Sequence, residues 1–419
     1  MFIRSLASLY ALACLAALPA SASPLAPNDR QRPMHIPKPS GTPNTLELEA
    51  WISSQTTYSE HRILSNIAPF TADPTAKPGA VCASPSRHHP DYYYTWTRDS
   101  ALVMNEIITW MNSTRNATYA KELQSRVDDY VGFTRHVQGL KGLKYGLGEA
   151  KFQMDGTPFT GSWCNAQTDG PAIRAYALAR YCEYLVGHGD LSGGRRLYES
   201  VIAKDLDYVV REWRGTLSCD IWEESRGAHF YTRAAQWRAL TLGVQLARLY
   251  NDHANLQRYE SESQMLARDL ERFWDAKNTY LMTTIDWSGG LGAKQSNLDS
   301  QVVLAALHFG TSQGGLVDVM APKMLATVRR IIAAFEHLYP INRVSVTEIN
   351  GRAVPIGVAI GRYPEDVYNG DGTSQGNPWS LITSGMAEYH YRLGLALVDA
   401  AAADKSKHIW VSSELGRLV

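Results

Sequence analysis

Helical periodicity, interrupted at unequal intervals, constrains this chain most. Apolar residues recur at helical spacing in about ten stretches: 45–66, 98–112, 117–138, 170–187, 192–213, 233–250, 253–274, 297–309, 321–338 and 378–399. The connections at 67–97, 139–169, 214–232, 275–296 and 339–377 are long and rich in Gly, Pro and aromatics, whereas the others are short. A long connection thus follows every second helix. This pattern predicts an all-α fold of paired helices whose long loops gather on one face, where such loops usually carry function. Asp169-Gly170-Pro171 marks one helix start, with proline where the first turn tolerates it. Strand signal is confined to Tyr280 to Thr284 and Val344 to Ile349, read as short hairpin strands within loops. The sequence has no internal repeat, low-complexity linker or all-β stretch.

The charge balance narrows the function classes. Lys+Arg and Asp+Glu both number 41, a formal net charge of zero, so nothing points to nucleic acid or an anionic membrane. Arg4, the apolar run Leu6 to Leu18 and Ala20-Ser21-Ala22 read as a signal peptide over 1–22, which predicts a secreted, extracellular protein. That run is too short to span a bilayer, and no later stretch is apolar enough to do so. Residues 23–44, rich in Pro, Asn, Arg and Gln, are expected to be a disordered lead-in. Cys82, Cys164, Cys182 and Cys219 remain after the signal, allowing two disulfides in any of three connectivities. Their spacings match no zinc pattern, so neither metal nor cofactor is expected. Asn112-Ser113-Thr114 and Asn116-Ala117-Thr118 are glycosylation sequons. A monomer is expected.

The long loops hold the residues with chemical potential. Asp220-Ile221-Trp222-Glu223-Glu224 packs three carboxylates and an indole into five residues. Crowded acids repel one another at a cost in stability, from which a structural site gains little. The plain reading is an acidic, solvated helix end. The functional reading is proton donation to a sugar oxygen, with one acid kept neutral by its neighbours' charge and the indole as an apolar platform for a pyranose ring. The first long loop ends in Pro90-Asp91-Tyr92-Tyr93-Tyr94-Thr95-Trp96-Thr97-Arg98-Asp99-Ser100. Its Arg-Asp pair is either helix capping or a grip on several hydroxyls of one sugar.

At these positions the chain resembles the fungal glucoamylases of glycoside hydrolase family 15. Tyr94-Thr95-Trp96-Thr97-Arg98-Asp99-Ser100, Gly161-Ser162-Trp163, Asp220-Ile221-Trp222-Glu223-Glu224, Gly361-Arg362-Tyr363-Pro364-Glu365-Asp366 and Gly376-Asn377-Pro378-Trp379 occur in family order, within about Leu46 to Asp399. The resemblance implies an (α/α)6 barrel domain over 45–399 with the active site where the long loops meet. It implies exo-hydrolysis of terminal α-1,4-linked glucose from starch and malto-oligosaccharides, with inversion to β-glucose. Glu223 is then the general acid, Glu224 a ligand of the leaving-group sugar, and Asp220 a residue that orients and charges the cluster. Arg98 and Asp99 grip the terminal glucose, and Arg362 is a further ligand with Asp366 beside it. Tyr92, Trp96, Trp163 and Trp379 form aromatic walls, while Trp222 supports Glu223 from behind. After Trp163 the chain departs from the common Gly-Arg-Pro-Gln-Arg pattern at Cys164, Asn165 and Thr168.

The larger departure is downstream. Inversion requires a second carboxylate as general base, roughly 6.5–9.5 Å from the acid. The resemblance places it in a Ser-Glu-Gln stretch beyond Gly-Asn-Pro-Trp, which the sequence to Val419 does not contain. Residues 400–419 resemble nothing in the family, and Glu414 there lacks matching neighbours. The expectation is a C-terminally truncated form whose barrel lacks its last helices. Apolar helix faces should then be exposed, and hydrolysis should fall by roughly 10²–10⁴-fold. The alternatives are a sugar-binding relic without the base, and another α-glucoside hydrolase of the same fold, such as a glucodextranase or trehalase type. A purely structural helical array does not explain why acids and tryptophans concentrate in alternate loops.

Overall fold

The computed structural model describes residues 45–403 apart from 71, 293, 312–313, 344–345, 350–351, 356, 371 and 375. The expected signal peptide, lead-in and most of the tail, including Glu414, lie outside the described residues.

Helices alternate between an outer and an inner layer. The outer layer holds α1 (Thr45–Leu64), and the chain enters the inner layer through β1 (Thr95–Trp96) and α2 (Thr97–Ser113). α3 (Ala117–Gly139), β2 (Lys151–Phe152) and α4 (Asp169–Gly187) repeat the excursion. The next outer helix is α5 (Leu191–Leu197), which runs through a π-helical turn (Tyr198–Ile202) into α6 (Ala203–Glu212). β3 (Ser218–Cys219) and β4 (Ser225–His229) lead into inner α7 (Phe230–Leu249), followed by outer α8 (His253–Leu270). β5 (Trp274–Asp275), β6 (Tyr280–Leu281) and β7 (Thr284–Gly290) precede inner α9 (Gln301–Phe309) and outer α10 (Pro322–Phe335). A hairpin, β8 (Val346–Ile349) and β9 (Arg352–Pro355), precedes inner α11 (Ser380–Ala403). The inner helices α2, α4, α7, α9 and α11 pack each on the next. This is an (α/α)6-barrel architecture, with five inner helices among the described residues.

The layers explain the burial. Inner α4 is buried on nearly every side from Asp169 to Leu178, and inner α9 is almost wholly apolar, because each is enclosed by neighbours. Outer helices such as α8 bury only a stripe, Tyr259, Leu266 and Leu270. Capping fixes the outer starts: Asn116 Oδ1 accepts the Thr118 and Tyr119 N–H groups, and Asp252 accepts that of Asn255. A bidentate, fully buried Arg174–Asp205 pair ties α4 to α6. The first and last described helices expose large apolar side chains: Leu48, Trp51 and Tyr58 on α1, and Tyr391, Leu395 and Val398 on α11.

Two points left open by the sequence are decided. The carboxylate cluster lies within its long loop and is no helix end. Residues 220–224 form a tight turn between β3 and β4, closed by the Glu223 N–H on Asp220 O (3.0 Å) and the Asp220 N–H on Ser225 O (2.9 Å). Of the two possible disulfides one is formed, Cys164–Cys219, while Cys82 and Cys182 are buried free thiols. Burial pushes the Cys82 thiol up to about 12 and the Cys182 thiol up to about 11, so both are inert thiols at neutral pH.

Candidate active site

Each long loop delivers its polar residues just before an inner helix begins. Trp96 precedes α2, Gln167 precedes α4, the Asp220–Glu224 turn leads through β4 into α7, Asp299 precedes α9 and Trp379 precedes α11. The inner-helix N-termini therefore converge, and their unpaired N–H groups and dipoles make this end hospitable to carboxylates. Two small sheets lock the loops together. β1 pairs with β2 (Trp96 opposite Lys151), and β4 lies between β3 and β7.

Glu223 stands at the centre in a strained backbone conformation, with φ +63°. A non-glycine residue in this region costs of order 1–3 kcal/mol and persists where surrounding structure enforces it. Its Oε1 accepts from Trp96 Nε1 (2.7 Å) and Gln167 Nε2 (2.7 Å), with Arg98 Nη2 at 3.8 Å. Among the described residues no donor reaches Oε2. One oxygen is thus fixed as an acceptor and the other is left for a proton. Gln167 is itself oriented by Arg98 Nη1 on its Oε1 (2.7 Å), and Arg98 also meets Asp169 Oδ2 (3.1 Å).

The two flanking acids differ sharply. Asp220 is fully buried; its Oδ1 accepts the N–H groups of Glu224 and Ser225, and its Oδ2 takes Lys294 Nζ at 2.6 Å. Burial alone would raise its pKa, but Lys294, His229 and the Ser225 N–H together hold it below its ordinary value. Glu224 is raised, mainly by burial, against the pull of Arg362, Lys294 and Tyr363. Its Oε1 lies 2.8 Å from Arg362 Nη2, and its Oε2 accepts from Tyr363 Oη at 2.8 Å. Lys294 Nζ also meets Asp299 Oδ2 (3.2 Å) and Glu224 Oε2 (3.7 Å), so one cation serves three carboxylates. Arg362 is buried and held bidentate by Asp366 (2.7 and 2.8 Å).

The aromatic residues form a continuous arc. Trp163 meets Trp96 edge-on (6.0 Å), and Trp96 meets Tyr92 (5.8 Å). Tyr92 bonds Tyr368 through their hydroxyls (3.2 Å), Tyr368 abuts Trp379 (6.2 Å), and Trp379 abuts Trp222 (6.0 Å). Behind Trp163 and Trp96, the Lys151 ammonium sits over four rings, nearest Trp163 at 3.2 Å, and burial lowers its pKa to about 8. Two buried polar atoms lack partners in this arc: Asp99 Oδ2, which lies 3.4 Å from Arg98 Nε but out of line for a hydrogen bond, and Trp379 Nε1.

All twelve residues given roles from the sequence, Trp222 included, gather here. Trp222, expected to support Glu223, donates its Nε1 to both oxygens of Asp299 (3.0 and 3.1 Å), and its ring lies under the Arg362 guanidinium. Sequence reading missed Gln167, Lys294, Asp299, Tyr363, Tyr368 and Lys151. Tyr363 stood within a motif and Gln167 and Tyr368 a few residues beyond theirs, whereas Lys294 and Asp299 carry no local signal. The residues that depart from the family pattern tether the loop. Cys164 bonds Cys219 beside Asp220, and Asn165 accepts the Ala150 N–H on its side chain and Arg226 on its carbonyl.

Residues 60–410 match the family model for glycosyl hydrolases family 15. The chain belongs to glycosyl hydrolases family 15. Its relatives in the family include Glucoamylase 1 of Rhizopus oryzae, 36% identical over 368 residues, covering 87% of this chain and 57% of the relative. The glucoamylase of Blastobotrys adeninivorans is 34% identical over 393 residues, covering 90% and 61%. Among solved structures, the glucoamylase of Saccharomycopsis fibuligera superposes with a TM-score of 0.73 at 31% identity, covering 85% of this chain and 74% of that one. The chain thus spans about three fifths of the length of the first two relatives.

Proposed function

We propose that this family 15 protein acts as a glucan 1,4-α-glucosidase, releasing terminal glucose from starch-type oligosaccharides. The observation that carries this reading is the asymmetry of Glu223, with Oε1 pinned by Trp96 and Gln167 and Oε2 free. In the proposal the Glu223 Oε2 proton passes to the glycosidic oxygen as the bond to the anomeric carbon breaks. Arg98, Asp99 and Arg362 hold the hydroxyls of the terminal glucose, with Asp99 Oδ2 as the waiting acceptor. Asp366 keeps the Arg362 guanidinium plane fixed. Glu224 receives the leaving-group sugar. Asp220 stays ionised beside Lys294 and does not compete for the proton. The aromatic arc supplies apolar faces and excludes water.

Inversion also needs a carboxylate across the ring to activate water. In this reading the described residues act as the acid and the sugar grip, and the assay reads whether the chain turns substrate over. Glucose release from maltoheptaose is followed by NMR of the product anomer, with Glu223→Gln as control. The expected outcome is β-glucose from wild type alone and maltose affinity within a few-fold in the variant. α-Glucose, or activity retained by Glu223→Gln, overturns the assignment. Maltose bound without any glucose released supports the second reading, a protein that binds sugar without turnover. Secretion is proposed from the leader-like residues 1–22 and the exposed sequon at Asn116. No described helix is long and apolar enough to cross a membrane.

A further inference from the structure

The Cys164–Cys219 disulfide joins two parts of the site that must keep register. Cys219 ends β3 and directly precedes Asp220 of the acid turn, while Cys164 directly follows Trp163 of the aromatic arc. The Cys164 carbonyl accepts Gln167 Nε2 (2.9 Å), and the same nitrogen donates to Glu223 Oε1 (2.7 Å). One amide nitrogen thus directs one N–H at each acceptor. The cross-link closes the ring, from the Cys164 carbonyl through Gln167 to Glu223 and from the acid turn back through Cys219.

Hydrogen bonds secure the chain on only one side of Cys164. Downstream, the Gln167 N–H meets Gly148 O (2.9 Å), the Cys219 N–H meets Ala166 O (2.9 Å) and the Thr168 N–H meets Ser218 Oγ (3.0 Å). Upstream, no backbone–backbone hydrogen bond holds 159–164 among the described residues. That stretch rests on ring contacts, Phe159 with Tyr94 (5.3 Å) and with Trp163 (6.0 Å), and on the Lys151 ammonium over Trp163. Gly161, Ser162 and Trp163 are exposed. A segment so exposed and so poor in hydrogen bonds opens at low free-energy cost. The disulfide is the covalent stop at its end. Without it the Cys164 carbonyl is free to follow the loop, and Gln167 loses one of its two fixed acceptors.

We propose that the Cys164–Cys219 cross-link is a positioning element of the site: it holds Trp163 and the Gln167 amide in place against Glu223, and its loss lowers turnover while the barrel stays folded. The turnover part rests on the reading of Glu223 as the acid. Cys164 is half-buried and Cys219 fully buried, so a small dithiol reaches the bond from the Cys164 side. Reduction moves two electrons and two protons from the dithiol to the protein: the S–S bond breaks, two thiols form and the dithiol closes to a cyclic disulfide. Cys82 and Cys182 are already buried thiols and do not change.

Glucose release from maltoheptaose is compared for wild type, wild type reduced with dithiothreitol, and Cys164→Ala/Cys219→Ala. The assays run well below the melting temperature, which loss of a cross-link also lowers. The expected result is a kcat about tenfold lower in both cross-link-free forms, with KM changed by less than about threefold, far-UV circular dichroism unchanged, and recovery when the reduced wild type is reoxidised. Gln167→Met, which removes the amide, should lose kcat as well. Removing the cross-link from that variant should cost little more, because both changes act through one contact. An unchanged kcat overturns the proposal. So do losses that multiply, which would place the effect of the cross-link elsewhere, and a lost circular dichroism signal, which would make it a folding staple. The underlying reading fails separately. If wild type releases no glucose, faster amide hydrogen exchange over 159–167 after reduction leaves the positioning standing and removes the hydrolase, and unchanged exchange removes both. Glucose release indifferent to the cross-link keeps the hydrolase and removes the positioning.

Discussion

Lys294→Met removes the cation that three carboxylates share. The side chain is 7% exposed, and its ammonium lies 2.6 Å from Asp220, 3.2 Å from Asp299 and 3.7 Å from Glu224. Methionine preserves the length and apolar contacts of the stem, so the perturbation is electrostatic. Asp299 keeps donors from Trp222 Nε1, Gln301 N and Gln301 Nε2, whereas Asp220 Oδ2 loses its 2.6 Å partner. Removing one partner of a buried pair costs about 3–5 kcal/mol, and the surviving donors at Asp299 favour the lower half of that range. The loss must depend on pH. With Lys294 present, Asp220 sits below its ordinary 3.8, so its stabilisation is present above that value and fades as pH falls through the depressed one. Without Lys294, burial is opposed only by His229 and the Glu224 and Ser225 N–H groups, and the folded-state pKa is expected to rise above 3.8. The variant then becomes less stable as pH climbs from about 4, and the gap to wild type widens toward neutrality. Urea unfolding followed by circular dichroism between pH 3.5 and 7 measures the gap, with Lys294→Arg as a charge-retaining control. A gap below about 1 kcal/mol at pH 7, or one that does not change with pH, refutes the reasoning.

Other outcomes follow from the same geometry. Glu106 on α2 has a buried, unpartnered Oε1, and its pKa is raised to about 7, chiefly by burial, with Glu388 adding and Trp110, Arg180 and Arg392 opposing. A raised acid stabilises below its ordinary 4.5 and loses that contribution as pH rises through about 7. Glu106→Gln should therefore flatten the fall in melting temperature between pH 4.5 and 7.5 and melt higher than wild type at pH 7.5; an unchanged pH profile excludes the buried charge as its cause. Asp99→Asn removes a charged acceptor worth about 1.5–3 kcal/mol. If wild type turns over maltoheptaose, kcat should fall more than KM rises, and equal effects on both would place Asp99 away from the transition state.

Legibility varied with distance along the chain. The helix pattern was readable because amphipathicity repeats every three to four residues, and the ten expected stretches correspond to the observed helices. The exception in detail is 192–213, where a π-helical turn divides the segment. The carboxylate cluster was readable as part of a long loop but not as a tight turn, because Glu223 adopts φ +63° against its intrinsic preference, which the β3–β4 pairing around it supports. The disulfide was unreadable, since four cysteines allow three connectivities and only proximity selects Cys164–Cys219.

The sequence by itself determined the helical layers, the order of the motifs and the kinds of side chain available for sugar chemistry, because those depend on local spacing and residue type. The tertiary structure alone decided the surroundings of each acid. Trp96 reaches Glu223 across 127 residues, Lys294 reaches Asp220 across 74 and Tyr363 reaches Glu224 across 139. The three acids share five residues of sequence yet differ in burial and in nearby cations, so Asp220 is held ionised and Glu224 is pushed upward. Charge state follows from desolvation and from groups within a few ångströms, and both are set when distant segments meet.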